Sequence, residues 1–174
     1  MAKKPLPSPD VLRQLLRYDP ETGGLYWRNR PHDQAWSKRL AGKPALNSVN
    51  SHGYRTGALD GCSLKAHRVI WTMCKGAWPQ GEVDHINGDR LDNRIENLRE
   101  VSRRQNAMNR HASFGSSQFK GVKRRSGDLW QATIKVGAKQ VHLGTYSSEE
   151  AAALAYNAAA IENFGVYAKL NATS

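Results

Sequence analysis

Long apolar runs are missing from this sequence of 174 residues. A helix that crosses a bilayer needs about 20 consecutive, mostly apolar residues, and no stretch comes near that length. The first ten residues, MAKKPLPSPD, also lack the apolar core of a secretory signal. We therefore expect no membrane association and a cytoplasmic location.

Cysteine and acidic residues are also scarce. The two cysteines, Cys62 and Cys74, do not have the Cys-x-x-Cys spacing of a metal site, so we expect two buried, reduced thiols. Asp and Glu number 15 against 26 Lys and Arg, which gives a formal net charge of +11. Such an excess of positive charge predicts a polyanionic partner, with nucleic acid favoured over an anionic membrane surface.

The first fifty residues contain one clear helix signal. Ser8 and Pro9, with an acidic residue after them, are typical of a helix start, and apolar residues follow at helical spacing until Pro20 stops them. Residues 25–27, LYW, predict a short strand. Residues 28–50 are polar and irregular, and we expect a loop there.

A hairpin and a helix are predicted next in the chain. Asp60 and Gly61 separate two strand-like runs, which is a hairpin signal. The apolar period becomes helical over residues 66–75, and Gly76 is placed to end that helix. His67 falls on the apolar face of the helix, where a structural histidine is favoured over a metal ligand.

A second unit is predicted after a linker at residues 107–117. Three strand-like segments follow the linker. Ser147 and Glu150 then have the spacing of a capping box, and an alanine-rich helix comes after them. We expect an α+β protein with one domain at residues 1–110 and a second at residues 111–174, the second being a small three-stranded antiparallel sheet packed on one helix.

The chemistry is concentrated in VDHINGDRLDNRIENLREVSRRQN, residues 83–106. Asp84 offers a hard oxygen ligand and His85 a base, and neighbours on a strand point to opposite sides, so that one can hold a metal while the other addresses a substrate. A capping box at Ser102 predicts a helix whose first turn contains Asn106, a second oxygen donor for the same metal. Oxygen ligands favour Mg²⁺ or Mn²⁺ over zinc.

The same stretch, V-D-H-I-N-G-D-R-x-D-N-R-I-x-N-L-R followed by S-R-R-Q-N, resembles the HNH motif of phage and homing endonucleases. Similarity to phage HNH proteins extends over about residues 8–110. The resemblance implies a ββα-metal fold, in which two strands and a helix hold one divalent cation. By position it implies Asp84 and Asn106 as metal ligands, His85 as the general base, and Asn97 as a brace that hydrogen-bonds to the loop backbone.

One pattern in this region conflicts with the resemblance. Apolar residues at positions 95, 98, 101 and 108 are nearly helix-spaced, whereas the HNH motif has a strand at residues 98–101. The capping box at Ser102 favours the strand, because a helix that starts at Ser102 cannot already have begun at Ile95.

The C-terminal segments F-K-G-V-K-R-R, W-Q-A-T-I-K, H-L-G-T-Y and E-E-A-A-A-L-A-Y resemble the plant ethylene-response-factor DNA-binding domain, which reads the major groove with a three-stranded sheet. By position the resemblance implies a set of residues that face DNA: Lys120, Lys123, Arg125, Trp130, Thr133 and Lys135. For Trp130 a core position against the alanine-rich helix is the alternative, and Tyr156 is expected in the core. Several positions depart from the family pattern, among them Thr133 and His142, so its base preference does not transfer.

Basic residues also fill the segment between the two predicted units. Residues 101–127 contain seven Lys or Arg and no acid, which favours a track for phosphate groups over a merely solvated surface. The complete predicted nucleic-acid-binding set is Arg103, Arg104, Arg110, Lys120, Lys123, Arg124, Arg125, Trp130, Thr133 and Lys135.

Together these features predict a metal-dependent DNA endonuclease that hydrolyses a phosphodiester bond. We expect one divalent cation, Mg²⁺ or Mn²⁺, double-stranded DNA as partner, no obligatory protein partner, and a monomer or weak dimer that nicks one strand per binding event. The C-terminal domain would aid site choice, and a phage-encoded protein would act in its bacterial host cell. The alternative is a non-cleaving DNA-binding regulator that uses the HNH fold as a scaffold; an RNA-directed nuclease is less favoured.

Overall fold

The computed structural model describes residues 4–102, 106 and 116–173. The chain divides into two compact units, Met1–Ser102 and Arg103–Ser174. Both units mix helices with antiparallel strands, so the predicted α+β class is confirmed. The domain boundary predicted at residue 110 lies outside the described residues. Among the helices that the structure describes, none is long and apolar enough to cross a membrane.

The N-terminal unit contains three helices and seven strands within its described residues. In chain order these are α1 (Pro9–Leu15), β1 (Leu16–Asp19), β2 (Gly24–Trp27), α2 (Gln34–Leu40), β3 (Ser48–Val49), β4 (Arg55–Leu59), β5 (Cys62–Lys65), α3 (Ala66–Lys75), β6 (Glu82–His85) and β7 (Leu98–Val101). The strands form three small antiparallel sheets, with the orders β1-β2, β3-β4-β5 and β6-β7. A 3₁₀ turn at Ile95–Asn97 leads directly into β7.

Helix α1 starts where the sequence predicts but ends earlier. The hydroxyl of Ser8 accepts a hydrogen bond from the backbone N–H of Val11, and Pro9 is the first helical residue. The predicted stop at Pro20 is wrong, because the backbone becomes extended at Leu16 and pairs with Trp27 in the β1–β2 hairpin. Leu16 is fully buried in that conformation, so burial in the core prevails over helical spacing.

The loop predicted for residues 28–50 is also partly wrong, since it contains α2 and the short strand β3. The carboxylate of Asp33 accepts a hydrogen bond from the N–H of Trp36 and caps α2. The Trp36 ring packs edge-on against Trp27, with the centroids 5.4 Å apart, and the Arg30 guanidinium lies 3.9 Å from the centroid of Trp36. None of the α2 residues is buried, so the sequence has no apolar stripe that could predict the helix.

Helix α3 and the β4–β5 hairpin match the predictions. The helix spans Ala66–Lys75, and Gly76 follows it in the left-handed conformation with φ +79°. Val69 and Ile70 are fully buried against Leu12 and Leu16, at the centre of the N-terminal core. Burying an aliphatic side chain of this size contributes about 1.5–3 kcal/mol, so α3 anchors the unit.

The burial predicted for the two cysteines is not observed. Cys74 is exposed on α3, and Cys62 is half-buried in β5, where its Sγ atom lies 3.6 Å from the carbonyl oxygen of Pro5. Both thiols are free. Although the residue as a whole is exposed, partial desolvation of its thiol raises the pKa of Cys74, so the thiol stays protonated near neutral pH.

The C-terminal unit has the predicted three-stranded antiparallel sheet and its helix. The strands are β8 (Val122–Arg124), β9 (Trp130–Val136) and β10 (Lys139–Tyr146), in the order β10-β9-β8, and helix α4 spans Glu149–Phe164. The helix cap is one residue later than predicted, because the hydroxyl of Ser148, rather than Ser147, accepts a hydrogen bond from the N–H of Ala151.

Small side chains bring α4 close to the sheet. Ala152, Ala153 and Ala160 are fully buried, and Tyr156 is buried as predicted. Gly121 allows this approach: it has a φ of +76°, and a Cβ atom there would lie 2.2 Å from Cδ2 of Tyr156. Burial also raises the pKa of Tyr156 to about 12. The unit therefore has its own core.

Candidate active site and DNA-binding surface

The β6–β7 hairpin carries the predicted catalytic residues. Asp84 and His85 lie in β6, where they pair directly with Arg99 and Leu98 of β7. Residues 98–101 therefore form a strand, as the resemblance predicted, and not part of a helix that begins at Ile95. Burial alternates along β6, so the neighbouring side chains of Asp84 and His85 point to opposite faces.

Asn97 holds the long loop of the hairpin. Its Oδ1 atom accepts a hydrogen bond from the backbone N–H of Asn87 at 3.0 Å. Its Nδ2 atom donates to Oδ1 of Asn87 at 3.0 Å and to the backbone carbonyl of Asp92 at 2.8 Å. These contacts are of the kind that the resemblance implies for Asn97. The Asn97 side chain is buried and its loop bonds are partly buried, so removing it would take a hydrogen-bond partner from two backbone groups of the loop.

Charged side chains stiffen the same loop. Arg94 donates from Nε and Nη2 to the two carboxylate oxygens of Asp92, each at 2.8 Å. These hydrogen bonds lower the pKa of Asp92 to about 2, so its carboxylate stays ionised throughout the physiological range. The β6–β7 loop is thus fixed by a bidentate ion pair as well as by Asn97.

The His85 ring is enclosed by the protein. Only 3% of the residue is exposed, and Nε2 lies 2.9 Å from Oδ1 of Asn93, a residue with no exposed surface. Burial lowers the pKa of His85, while the bond to Asn93 and the nearby Asp84 carboxylate act in the opposite direction. The imidazole is therefore neutral at physiological pH, which is the form that can accept a proton.

His67 and Tyr54 also lie close to the His85 ring. The ring centroid of His67 lies 5.1 Å from that of His85, with the planes nearly perpendicular, and the Tyr54 centroid lies 6.0 Å from it. Burial, with the positive potential of nearby histidine and basic groups, lowers the pKa of His67 to about 3. Its Nδ1 atom has no hydrogen-bond partner within the described part of the chain. His67 is therefore a buried, neutral histidine, and the structural role that the helix pattern favoured stays a prediction.

Asp84 is paired with a residue that sequence reasoning did not single out. Arg99 donates from Nε and Nη2 to Oδ2 of Asp84 at 3.1 and 3.0 Å. The side chains are only 16% and 11% exposed for Arg99 and Asp84, so the ion pair is largely shielded from water. The pairing follows from the register of two strands that a twelve-residue connection separates, and no local sequence signal specifies that register.

Asp84 offers one carboxylate that could contact a cation. No group of three His, Cys, Asp or Glu side chains that could hold a metal occurs within residues 4–102, 106 and 116–173. Carboxylate oxygens are donors that Mg²⁺ and Mn²⁺ accept. Asn106, the second predicted ligand, is helical and half-buried, as the capping box at Ser102 predicted.

The C-terminal sheet has one apolar and one polar face. Ala132 and Ile134 of β9 are buried against α4, which places the alternate residues Thr133 and Lys135 on the opposite face. Cross-strand partners add to this polar face, which comprises Lys123, Gln131, Thr133, Lys135, Gln140, His142 and Thr145. Four of the seven, Gln131, Gln140, His142 and Thr145, are outside the predicted set.

Side chains of the polar face hydrogen-bond across the strands. The Gln131 amide donates from Nε2 to Nδ1 of His142 at 2.7 Å, and Gln140 donates from Nε2 to Oγ1 of Thr133 at 3.2 Å. Paired amides and hydroxyls of this kind resemble the groups that contact base edges and phosphates in protein–DNA interfaces. The face therefore presents organised polar groups beside two lysines.

The structure corrects the prediction for Trp130. Its ring packs on the side of the sheet that contacts α4, among partly buried residues of that core, which is the alternative that the sequence left open. Arg124 pairs with Trp130 across the strands, and its guanidinium carbon lies 5.9 Å from the tryptophan ring centroid. Arg124 also bonds Asp128 at 2.8 Å, so its charge is partly compensated within its own turn.

Two of the remaining residues that were predicted to contact DNA, Lys120 and Arg125, lie within the described part of the chain. Lys120 is partly buried, and burial, aided by nearby Lys169, lowers the pKa of its ammonium group to about 8. Arg125 is exposed at the end of β8, where its N–H donates to the carbonyl of Leu129. Arg103, Arg104 and Arg110 lie outside the described residues.

A family model described as HNH endonuclease matches residues 64–108. The matched residues begin in β5 and include α3, the β6–β7 hairpin and its loop. The chain contains an HNH endonuclease domain. All four predicted catalytic and metal-binding positions, Asp84, His85, Asn97 and Asn106, fall within the matched part.

Two curated relatives are similar to large parts of this chain. An uncharacterized HNH endonuclease of Acanthamoeba polyphaga mimivirus is 34% identical over 110 residues, which cover 62% of this chain and 57% of that protein. The ethylene-responsive transcription factor WRI1 of Arabidopsis thaliana is 29% identical over 156 residues, or 83% of this chain and 35% of the plant protein. The chain thus spans about half or less of the length of these relatives.

One solved structure, on DNA binding and cleavage by the HNH homing endonuclease I-HmuI, is also similar. Its TM-score is 0.38 with 22% sequence identity, and the match covers 53% of this chain and 49% of that one.

Proposed function

We propose that the protein is a metal-dependent DNA endonuclease that hydrolyses a phosphodiester bond. The observation that carries the proposal is the position of His85: a neutral, buried imidazole, fixed by Asn93 and adjacent to Asp84, within the residues that match the HNH model. In this proposal His85 is the general base, Asp84 and Asn106 provide oxygen ligands, and Asn97 maintains the loop. The assignment of Asn106 rests on the sequence motif.

The proposed reaction needs one proton acceptor and one site for the phosphate. His85 accepts a proton from a water molecule, whose oxygen attacks the phosphorus while the bond to the 3′ oxygen breaks. A divalent cation, when bound, supplies charge neutralisation at the phosphate and stabilises the departing 3′ oxygen. Strand β6 fixes the backbone of Asp84 and so the position of its carboxylate. The hydrogen bonds of Asn97 hold the β6–β7 loop in its conformation.

The same proposal assigns a role to each unit. A single general base and a single carboxylate site would cut one strand, so a monomer would nick DNA once per binding event. The polar face of the C-terminal sheet, with Lys123, Lys135 and Thr133, would bind the duplex and aid the choice of site. Similarity to a plant transcription factor supports DNA binding by this unit.

One observation favours a second candidate function, a DNA-binding regulator that does not cleave. Arg99 forms a shielded ion pair with Asp84, and a cation that binds this carboxylate must share it with the guanidinium. If Arg99 prevents metal binding, the hairpin is only a scaffold. The two candidates differ in whether a metal added to the protein produces cleavage.

The deciding experiment is nicking of supercoiled plasmid with Mg²⁺ or Mn²⁺. The wild-type protein should yield relaxed circles, EDTA should abolish them, and His85→Ala should reduce the rate by about 10²–10⁴-fold, the range typical for loss of a general base. His52→Ala, a change at an exposed histidine, is the matched control and should nick normally. Binding without cleavage under every metal would support the regulator, and cleavage that survives His85→Ala would make His67 the next candidate base.

A further inference from the structure

We propose that Lys65 and Arg90 bind backbone phosphate groups of the DNA strand, beside the phosphodiester bond that the proposed endonuclease hydrolyses. Both cations lie close to the ring of Tyr54, which is itself near His85. This inference deepens the proposed function and rests on it, because it concerns how the DNA is positioned at His85. Neither cation belongs to the set of residues that the sequence predicted to contact DNA.

The ring of Tyr54 brings together two positive charges from separate elements of the fold. Nζ of Lys65, at the end of β5, lies 4.8 Å from the ring centroid. The guanidinium carbon of Arg90, in the β6–β7 loop, lies 5.0 Å from the same centroid. Cation–π contacts at this distance hold the charged groups near the ring, but they do not remove the charge. Anionic groups that reach this place are therefore stabilised by both cations.

No carboxylate neutralises the two cations within the part of the chain that the structure describes. There, neither Lys65 nor Arg90 forms an ion pair. The carboxylate of Asp89, the chain neighbour of Arg90, accepts a hydrogen bond from the N–H of Leu91 at 2.9 Å. Arg90 donates from Nη1 to the carbonyl oxygen of His52 at 2.7 Å, which orients the side chain and leaves its charge in place. Both cations are exposed, so a DNA strand can reach them.

The first turn of α3 adds to the positive potential around Lys65. Lys65 is the N-cap residue, its side chain makes no capping hydrogen bond, and the first turn contains no acidic residue. Because the N-terminus of a helix carries a partial positive charge, a lysine there is unfavourable unless an anion is bound. Arg68, in the same turn, donates to the carbonyl oxygens of Gly81 and Pro79, so it holds the fold while adding its charge. The charges at this helix end are thus suited to binding an anion.

Tyr54 links these charges to the proposed base. Its ring centroid lies 6.0 Å from that of His85 and 5.0 Å from that of His67, and its N–H donates to Oδ1 of Asn50 at 3.1 Å. A DNA strand whose phosphate reacts at His85 carries further phosphates on either side of that bond. Contacts to such phosphates fix the register and orientation of the duplex without reading its sequence. The assigned role is therefore to position the strand.

Salt-dependent binding tests the site without any cleavage. The 174-residue chain is titrated with fluorescein-labelled duplex DNA in EDTA, and the anisotropy is measured over a salt series. Lys65→Gln and Arg90→Gln should each reduce the slope of log affinity against log salt by about 0.9 for each phosphate that is no longer neutralised. Lys65 makes no hydrogen bond with its ammonium group within the described residues, so Lys65→Gln tests the charge even if Arg90→Gln perturbs the loop.

Lys75→Gln is the matched control. Lys75 is also exposed and also lies near an aromatic ring, 5.5 Å from the centroid of Trp71, but at the opposite end of α3. Its slope should equal that of the wild type. Wild-type slopes in both Lys65→Gln and Arg90→Gln would overturn the inference. An equal loss in Lys75→Gln would also overturn it, because net charge alone would then explain the effect.

A change in the DNA locates the site relative to the cut. After the nick has been mapped by sequencing, the phosphates next to it are replaced one at a time by an uncharged methylphosphonate. For at least one position the wild-type affinity should fall by about 10-fold, as expected for the loss of a hydrogen bond between charged groups. The same replacement should cost Lys65→Gln or Arg90→Gln much less, since its partner is already missing.

The two tests separate this inference from the proposed function. Equal losses for the wild type and both variants at every replaced phosphate would overturn the placement of Lys65 and Arg90 beside the cut. A wild type that never nicks would refute the proposed function, whereas the salt slopes would still decide whether the two cations bind DNA.

Discussion

The two candidate sites of this protein are built in opposite ways. The side chains of His85, Asn93 and Asn97 at the β6–β7 hairpin are buried and hydrogen-bond to protein groups, so water has little access to them. Lys123, Lys135, Gln140 and His142 on the polar face of the C-terminal sheet are exposed, so water can hydrogen-bond to these groups when a partner is removed. The comparison indicates that single substitutions should be costly in the first site and mild in the second, because an unpaired group is expensive only where water is excluded.

Asn97→Ala should have the largest effect on stability. It removes the acceptor for the N–H of Asn87 and the donor to the carbonyl of Asp92. Because both hydrogen bonds are only partly buried, each loss should lie in the lower part of the range of about 1–3 kcal/mol for an unpaired buried group, and the free energy of unfolding should fall by about 2–3 kcal/mol. Urea unfolding measures the change. Asn163→Ala, whose amide only bonds a carbonyl of its own helix at an exposed position, should change it by less than about 0.5 kcal/mol.

His67→Phe should weaken the dependence of the free energy of unfolding on pH. The folded-state pKa of His67 is about 3, against 6.5 for an exposed histidine, because burial disfavours the charged ring. Above pH 6.5 the His67 ring is neutral in both the folded and the unfolded protein. As the pH falls from 6.5 to about 3, the ring gains a proton only in the unfolded protein. The free energy of unfolding therefore declines by up to about 1.4 kcal/mol per pH unit.

Urea unfolding of the wild type and His67→Phe at several values between pH 4 and 7 checks this prediction. The variant should retain more of its neutral-pH stability in acid, whereas His52→Phe, at an exposed position, should keep the wild-type slope. Equal slopes for wild type and His67→Phe would mean that the His67 ring is protonated in the folded protein. Water would then reach the His67 ring more readily than its burial in the structure indicates.

Tyr18→Phe should have a smaller effect, confined to the support of the loop. The variant loses the hydroxyl that accepts from the N–H of Ile95 and should lower the free energy of unfolding by about 1–2 kcal/mol. Tyr26→Phe is a matched control on the neighbouring strand, because its hydroxyl makes no hydrogen bond among those that the structure describes. Equal losses in the two variants would assign the effect to ring packing instead of to the hydrogen bond.

Lysine substitutions on the polar face should have the smallest effects. Lys123→Ala and Lys135→Ala should each weaken DNA binding similarly for all sequences and reduce the slope of log affinity against log salt by about 0.9 for each phosphate that the variant no longer neutralises. Lys139 lies on the same sheet but pairs with Val136, which packs toward α4, so Lys139→Ala should leave the slope unchanged. Fluorescence anisotropy over a salt series measures all three. Equal slopes in the three variants would exclude this face from the DNA interface.

Elements with strong local signals could be predicted from the sequence. The apolar residues of helix α3, its two ends and its C-terminal glycine all lie within eleven consecutive positions. The sequence therefore predicted the bounds of this helix correctly. The strand at residues 98–101 was also identified, because Ser102 provides a local signal that outweighs an ambiguous apolar spacing. The predicted roles of Asp84, His85 and Asn97 came from a motif in which short-range spacing reflects a hairpin.

Features that depend on distant contacts could not be predicted. The α2 helix forms without an apolar stripe, beside aromatic contacts between Trp27 and Trp36. The pairing of Arg99 with Asp84 depends on strand register, and the closeness of Asn93 to Gly23 depends on how two hairpins pack. For Trp130, strand alternation allows either face, and only the position of α4 decides between them.

The packing of Trp130 also makes the two units optically separable. The other four tryptophans, at positions 27, 36, 71 and 78, precede residue 103, so Trp130 is the sole indole of the C-terminal unit. A chain in which those four are replaced by phenylalanine would emit only from the interface between the sheet and α4. Its emission maximum would then report melting of the C-terminal unit alone, while the difference from the wild-type signal would report the HNH domain.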